Sequence, residues 1–288
     1  MRFGIIANRK RPGADDVIKR VIFWTQNYGH DFRLCEELRD FATETNQISQ
    51  RNRMGQECDI IISMGGDGTL LATSRDIGAA DTPILGINLG SLGFLTQVSA
   101  DEVETRLNEI IAGKYRIESR MLLEASVDDD RNSIRYTALN DVVVDRGSLA
   151  RLIQLDLFVN DEFISTYRAD GLVICTPTGS TAYNSAVGGP LLNPNMEAIV
   201  ASPIAPQSLA ARPLLFHGED VIRVRVTSSQ HTCLMTVDGQ TSVELANLTQ
   251  ITVRKAGHST RLITFEDNSF YKILRTKLHW AVLPVTKN

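Results

Sequence analysis

Apolar and polar positions in the first third of the chain follow the rhythm of a parallel sheet covered by helices. Apolar, β-branched runs at 2–7, 59–64 and 83–88 predict buried strands. Between the first two runs, one stripe recurs at helical spacing, at Val17, Val21, Trp24 and Tyr28, and Gly29 ends it. Another helical pattern starts at Thr69, directly after the second run. This alternation predicts an α/β domain with a Rossmann-like parallel sheet.

From about residue 115 to residue 265 the apolar positions alternate with period two instead. One such run contains Ile153, Leu155, Leu157 and Val159, and turn signals such as Asn160-Asp161 separate the runs. Short alternating segments of this kind predict an all-β sandwich.

The two patterns together predict a two-domain α+β chain. We expect residues 1–98 to form the α/β domain. Residues 99–265 would form the β sandwich, beginning with a helix that Ser99 and Glu102 cap and Gly113 ends. Residues 266–288 return to helical spacing, so we expect this C-terminal segment to dock back on the first domain.

The overall charge of the chain bears on whether the protein binds nucleic acid. The chain has 288 residues, 43% of them hydrophobic and 22% charged, and its formal net charge is −4. This is ordinary for a soluble globular protein and argues against a nucleic-acid partner. The densest basic run, residues 8–11, is interpreted as a solvated loop, and we expect loops at 9–15 and 51–57.

Two further observations bear on location. No apolar run approaches the roughly 18 residues that span a bilayer, and no charged leader opens the chain. The four cysteines are too far apart for a metal knuckle or a disulfide framework, so each is predicted to be a packed thiol. We therefore expect a cytoplasmic protein without a membrane partner.

The strand predicted at 59–64 is followed by Gly65-Gly66-Asp67-Gly68. Asp67 therefore lies at the carboxyl end of a strand, where open α/β sheets bind ligands. Gly65, Gly66 and Gly68 let the backbone approach a bulky anion, and the start of the next helix favours a phosphate. A carboxylate in a phosphate cradle suggests phosphoryl transfer, in which the acid takes a proton or holds a metal. The alternative is a simple tight turn, which Asp-Gly pairs often form.

Two more polar segments interrupt apolar runs. Asn140-Asp141 offers an amide and a carboxylate that suit the base edge and the ribose hydroxyls of a nucleotide, and an Asx turn is the alternative. Residues 170–183 open into a hydroxyl-rich loop in which Tyr183 offers an aromatic face for a base. This loop lacks the Gly-Lys-Ser/Thr ending of a Walker A loop, and no Gly-x-Gly-x-x-Gly occurs in the chain. Neither a P-loop nor the usual Rossmann dinucleotide turn is therefore supported.

Taken together, these segments resemble the NAD kinase family in its bacterial form. The matching motifs are Gly-Gly-Asp-Gly-Thr at 65–69, Leu-Gly-Phe-Leu-Thr at 92–96, Leu-Asn-Asp at 139–141, the block 170–183, Gly-Gly-Pro at 188–190, Arg-Pro-Leu at 212–214 and Val-Asp-Gly-Gln at 237–240. The first motif is shared with phosphofructokinases and with diacylglycerol and sphingosine kinases. Thr-Pro-Thr-Gly-Ser-Thr-Ala-Tyr with Asn-Asp upstream makes the resemblance specific.

The resemblance implies a reaction and an assembly. The γ-phosphoryl of ATP, with a divalent cation such as Mg²⁺, would pass to the 2′-hydroxyl of the adenosine ribose of NAD and give NADP. The first domain would bind ATP, the sandwich would bind NAD in a cleft between the domains, and the protein would form a homodimer or homotetramer.

The resemblance also implies roles for single residues. Asp67 corresponds to the family's proton acceptor, and we expect Asp67→Asn to keep the fold and lower turnover. The residues that correspond to nucleotide contacts are Gly68, Asn140, Asp141, Arg151, Arg168, Asp170, Thr181, Ala182, Tyr183, Asn184, Ser185, Ala186 and Gln240. No residue is identified as a metal ligand.

Two other functions stay open. A lipid kinase would share the glycine turn but would require an apolar groove for an acyl chain. The hydroxyl-rich loop argues against such a groove. A nucleotide sensor would bind NAD or NADP without turnover, and an intact Asp67 argues against it. The range of phosphoryl donors, the choice between NAD and NADH, and feedback by NADPH have no readable signature in the chain.

Overall fold

The computed structural model describes residues 1–127, 134–147, 151–227 and 233–280. The chain divides into two compact units, Met1–Ser119 with the chain from Arg261 onward, and Arg120–Thr260. These boundaries differ from the expected 98 and 265 because the helix after Ser99 packs within the first unit. Its Asn108 accepts a hydrogen bond from Trp24 Nε1 over 3.0 Å, and its Glu104 accepts one from Arg20 Nε over 2.7 Å.

The first unit is built on a parallel sheet in the order β5-β4-β1-β2-β3. Strand β6 pairs with β5, and the end of β18 lies beside β5 with Leu262 opposite Ile84. The strands are β1 Arg2–Ala7, β2 Asp31–Cys35, β3 Ile48–Ser49, β4 Ile60–Gly65, β5 Ile84–Asn88 and β6 Val98–Ser99. The helices are α1 Ala14–Asn27, α2 Arg51–Glu57, α3 Asp67–Ile77, α4 Val103–Ile111 and, near the C-terminus, α6 Phe270–Leu278, with 3₁₀ turns at Glu36–Phe41, Thr45–Gln47 and Ala100–Glu102.

Two local expectations were wrong. Residues 51–57 were expected to be a loop, but they form α2, which buries Met54 and Gly55. Gly55 fits closely against α3, since a Cβ there would lie 3.1 Å from Ile77 Cβ. Helix α3 also begins at Asp67 rather than Thr69, because Gly66 takes the N-cap position. The capping box of Ser99 and Glu102 is confirmed.

The second unit is a sandwich of two antiparallel sheets, one in the order β11-β10-β15-β18 and the other in the order β14-β13-β12-β9-β16-β17. Strands β7 and β8 pair with each other. The remaining bounds are β7 Arg116–Val127, β8 Ile134–Ala138, β9 Asp141–Asp145, β10 Ile153–Val159, β11 Glu162–Ala169, β12 Gly171–Cys175, a 3₁₀ turn Thr178–Thr181, α5 Tyr183–Ala186, β13 Ala198–Ile204, β14 Leu214–His217, β15 Ile222–Thr227, β16 Cys233–Val237, β17 Thr241–Leu245 and β18 Gln250–Thr264.

The core of the second unit comes from alternate residues of both sheets. Leu155 and Leu157 of β10 pack in one cluster with Val142 and Val144 of β9. This inward alternation is what the period-two pattern predicts. The predicted fold class, an α/β unit with a parallel sheet and a β sandwich, is confirmed. All four cysteines are buried thiols rather than members of disulfide bonds, as predicted.

Candidate functional site

The glycine turn joins β4 to α3 at the carboxyl edge of the parallel sheet. Gly65 ends β4, Gly66 is the N-cap, and Asp67 is the first residue of α3. Gly65 has no room for a side chain, because a Cβ there would lie 2.2 Å from Thr69 Oγ1. The side of Gly66 is open by comparison. The sequence therefore folds here into a helix start rather than a free-standing tight turn.

The carboxylate of Asp67 accepts four hydrogen bonds from the segment 94–96. Its Oδ1 accepts from Leu95 N, Thr96 N and Thr96 Oγ1, each over 3.0 Å. Its Oδ2 accepts only from Phe94 N, over 2.8 Å. A carboxylate has about four acceptor positions, two on each oxygen. Oδ1 is therefore saturated, whereas Oδ2 can accept one further hydrogen bond.

Asn88 at the end of β5 supports the same segment. Its Nδ2 donates to Thr96 Oγ1 over 2.9 Å and to Ser91 O over 2.6 Å, while its Oδ1 accepts from Gly90 N. Gly93 lies against the carboxylate, because a Cβ there would lie 2.0 Å from Asp67 Oδ1. The motif at 92–96 thus serves to hold Asp67 in one orientation, which sequence reasoning missed although it had singled out the motif.

A second polar centre lies in the sandwich unit, where Asp141 begins β9 and Asn140 directly precedes it. Thr176 N donates to Asn140 O over 2.9 Å, and Thr176 Oγ1 donates to Leu139 O over 2.6 Å. Gly179 closes against the same backbone, since a Cβ there would lie 2.0 Å from Asn140 O. The structure therefore brings the Asn-Asp segment and the hydroxyl-rich loop together.

Asp238 holds the Asn-Asp segment from a third direction. Its Oδ1 accepts from Asn140 N over 2.7 Å and from Asp141 N over 3.1 Å, and its Oδ2 accepts from Leu139 N over 3.0 Å. Burial and the neighbouring Asp238 carboxylate raise the pKa of Asp141 from its usual 3.8 to about 7. Asp141 is therefore a carboxyl group that can gain or lose its proton near neutral pH.

The segment 178–186 contains both buried and open side chains. Asn184 is buried, with Nδ2 donating to Pro190 O over 3.0 Å and Oδ1 accepting from Ser202 Oγ over 2.7 Å. Its side chain therefore holds the loop. Tyr183 is 43% exposed, so its ring face is available to a ligand. Thr178, which was not among the predicted contacts, is buried and its Oγ1 has no hydrogen-bond partner in the described ranges.

The remaining predicted contacts do not all join this centre. Gln240 lies two residues after Asp238, in the turn between β16 and β17. Arg168 is the last residue but one of β11, and Asp170 lies between β11 and β12. Thr176 follows the other end of β12, so the five residues of that strand separate it from Asp170 by roughly 20 Å. Asp170 accepts a hydrogen bond from Arg146 Nε over 2.7 Å, while Arg151 is exposed.

The described residues offer no metal site of their own. Among them, no group of three or more His, Cys, Asp and Glu residues could hold a metal ion. No helix in the same ranges is long and apolar enough to cross a bilayer.

Comparison with known proteins gives the family. Residues 3–115 match the family model of the ATP-NAD kinase N-terminal domain, and residues 139–265 match that of the C-terminal domain. The chain is similar to the NAD kinase of Syntrophotalea carbinolica, with 38% identity over 97% of this chain and 99% of that protein. It is also similar to the NAD kinase of Magnetococcus marinus, with 42% identity over 81% of this chain and 78% of that protein.

Solved structures agree with the sequence comparison. A yeast NADH kinase in complex with NADH matches with a TM-score of 0.89 and 25% identity, covering 100% of this chain and 90% of the other. An NAD kinase from Archaeoglobus fulgidus in complex with ATP matches with a TM-score of 0.77 and 25% identity, covering 97% of this chain and 99% of the other.

Proposed function

The chain belongs to the NAD kinase family, and from that premise we propose that Asp67 is its catalytic proton acceptor. The reaction is the transfer of the γ-phosphoryl of ATP to the 2′-hydroxyl of the adenosine ribose of NAD, which yields NADP. In such transfers most of the rate enhancement comes from positioning and charge stabilisation, with a carboxylate orienting the attacking hydroxyl.

The unequal hydrogen bonding of the two Asp67 oxygens carries this proposal. Oδ1 is fully occupied by the three donors at Leu95 and Thr96, so it fixes the orientation of the group. Oδ2 accepts one hydrogen bond, from Phe94 N, and has capacity for a second. A ribose hydroxyl would donate to Oδ2 and pass its proton there as the bond to phosphorus forms.

Asn140 and Asp141 are proposed to bind NAD, together with the hydroxyl-rich loop. A ribose hydroxyl can donate to the ionised Asp141 carboxylate, and the exposed face of Tyr183 can stack on a base. Arg151, Arg168, Asp170 and Gln240 are proposed as contacts on the family resemblance alone.

The first unit is proposed to bind ATP and the second NAD. The divalent cation is proposed to enter with ATP as the MgATP complex, as part of the substrate. Cytoplasmic location and self-association into dimers or tetramers are proposed from the family resemblance.

The assay is formation of NADP from NAD, ATP and Mg²⁺ by the purified protein. We expect one ADP for each NADP formed. A protein that binds NAD without consuming ATP would instead be a nucleotide sensor, and phosphorylation of diacylglycerol or sphingosine in place of NAD would indicate a lipid kinase.

A further inference from the structure

A basic loop follows β1 and lies next to the glycine turn. Strands β1 and β4 are parallel neighbours with Ala7 opposite Met64, so both end at the same edge of the sheet. Asn8 N continues this pairing and donates to Met64 O over 2.9 Å. The loop at 8–13 and the turn at 65–68 therefore leave adjacent strands side by side.

The arginines of this loop have different surroundings. The guanidinium of Arg9 is already paired with two carboxylates, since it donates to Asp15 Oδ1 over 3.1 Å and to Asp40 Oδ2 over 3.0 Å. It also lies over the ring of Phe41. Arg11 is exposed, and its side chain makes no hydrogen bond or ion pair with any residue that the structure describes. An arginine without an internal partner has all its donors available to a ligand.

The position of Arg11 relative to the turn is specific. Its Nη2 lies 3.6 Å from the point that a Cβ on Gly66 would occupy, and no other atom of the described residues outside 65–67 lies within 4 Å of that point. The guanidinium thus covers the open side of Gly66, one residue before Asp67. The loop also borders an open pocket of about 610 Å³, lined by residues 9–11 and 13–16.

Phosphoryl transfer from ATP needs positive charge beside the β- and γ-phosphates. The chain has no P-loop lysine to provide it. The guanidinium fork matches two phosphate oxygens at once and keeps its charge at all physiological pH values. The guanidinium of Arg11 is a permanent positive charge in contact range of the turn.

We propose that Arg11 binds the β- and γ-phosphates of ATP beside the glycine turn, with its guanidinium on the open side of Gly66. This inference rests on the proposed function and adds a donor-binding residue to it. Arg11 takes part in no proton transfer. It positions the phosphates and neutralises their charge.

The test compares steady-state kinetics of Arg11→Gln, Arg11→Lys and a matched control, Lys19→Gln. Lys19 is an exposed cation on α1 whose side chain forms no hydrogen bond in the described ranges. Losing a charged hydrogen bond raises the KM for ATP about tenfold in Arg11→Gln. The KM for NAD stays within about twofold, Arg11→Lys recovers part of the loss, and Lys19→Gln behaves as wild type.

Inhibition by AMP separates the triphosphate contact from the adenosine contact. AMP lacks the β- and γ-phosphates, so its inhibition constant in Arg11→Gln stays within about twofold of the wild-type value. Two results would overturn the assignment. One is an unchanged KM for ATP in Arg11→Gln, and the other is an equal rise in the KM for ATP and in the inhibition constant of AMP. If the wild-type protein forms no NADP from NAD and ATP, the proposed function itself is refuted. Folding of each variant is checked by its melting temperature, which should not change because the loop is held by backbone bonds of Asn8 and Arg11.

Discussion

At the scale of single residues, the carboxylates that organise this protein act mainly on backbone N–H groups. Asp67 accepts from Phe94, Leu95 and Thr96, and Asp238 accepts from Leu139, Asn140 and Asp141. In each case one acid fixes a loop that is remote in sequence. Charge-assisted hydrogen bonds of this kind are stronger than neutral ones. Each of the two polar centres is therefore held by charge-assisted hydrogen bonds within its own unit.

Sequence reasoning found Asp67, Asn140 and Asp141 because their neighbours are glycines or apolar strands. It did not assign roles to Gly93, Thr96 or Asp238, although all three lie in motifs that it had matched. Their roles depend on contacts between residues that lie 26 to 99 positions apart in the chain. No local spacing reports such a contact, because the partner N–H groups belong to residues of any type.

Gly93 provides a steric test of the support around Asp67. A Cβ at this position would lie 2.0 Å from Asp67 Oδ1, so Gly93→Ala must displace the loop or the carboxylate. We expect a fall in kcat of at least tenfold and a loss of about 1–3 kcal/mol in the free energy of unfolding. Kinetics and denaturant unfolding measure the two effects.

Gly90→Ala is the matched control, because the nearest atom to a Cβ there is Asn88 Oδ1 at 3.8 Å. This variant should keep its stability and activity. Equal losses in the two alanine variants would show that the loop tolerates no substitution and that the clash at Gly93 is not the cause.

Asp141 gives a prediction about pH. Its pKa of about 7 in the folded protein lies above its usual value of 3.8, so the folded state binds the proton more tightly. Its contribution to stability is fully present below about pH 4 and is lost as the pH rises through 7. A pKa difference of about three units changes the free energy of unfolding by no more than about 4 kcal/mol.

The variant Asp141→Asn removes this titration. We expect the unfolding free energy of the wild type to fall, relative to that of Asp141→Asn, between pH 4 and pH 8. Denaturant unfolding at several pH values measures the difference. Parallel pH profiles for the two proteins would contradict a raised pKa at Asp141.

At the scale of elements, the strongly periodic segments were predicted well and the polar ones were not. The stripe of α1 and the C-terminal helix α6 are present, with Ile273 and Leu274 buried. Helix α2 was missed because its sequence, Arg-Asn-Arg-Met-Gly-Gln-Glu, has a single large apolar residue and a glycine. Packing of Met54 and Gly55 against the first unit overrides this weak local preference.

Arg106 of α4 connects several elements of the first unit. It is buried, contacts Glu102, Glu109 and Asp267 over 3.2, 2.8 and 2.6 Å, and lies over the ring of Phe265. Removing one partner of a buried ion pair leaves charges uncompensated. The three carboxylates left behind are 33–55% exposed, so we expect Arg106→Met to lower the free energy of unfolding by about 1–3 kcal/mol, as measured by denaturant titration.

Arg116→Met is the control for this prediction. Arg116 pairs with Glu266, the neighbour of Asp267, but the two side chains are 68% and 82% exposed. Arg116→Met should lower the free energy of unfolding by less than about 1 kcal/mol. If Arg116→Met destabilised the protein as much as Arg106→Met, burial would not be what makes the Arg106 contacts important.

At the scale of the whole molecule, the change from helical spacing to period two predicted the two kinds of architecture. It placed the boundaries less well, because Ser99 to Ile111 pack in the first unit while following its last parallel strand in sequence. Periodicity reports the type of an element, whereas the unit to which an element belongs depends on its tertiary contacts. The pairing of Trp24 with Asn108 is one such contact.

We propose that the activity of the whole molecule depends on the free acceptor position of Asp67 Oδ2. The most direct measurement is the kcat for NADP formation by Asp67→Asn, compared with Thr96→Val. The valine variant removes one donor to Oδ1 but leaves the carboxylate in place.

We expect kcat to fall about 10²–10⁴-fold in Asp67→Asn, with the KM for NAD within a few-fold of the wild-type value, because a proton acceptor is lost. In Thr96→Val the fall should be less than about tenfold. A kcat for folded Asp67→Asn near that of the wild type would contradict the assignment of Asp67 as the proton acceptor.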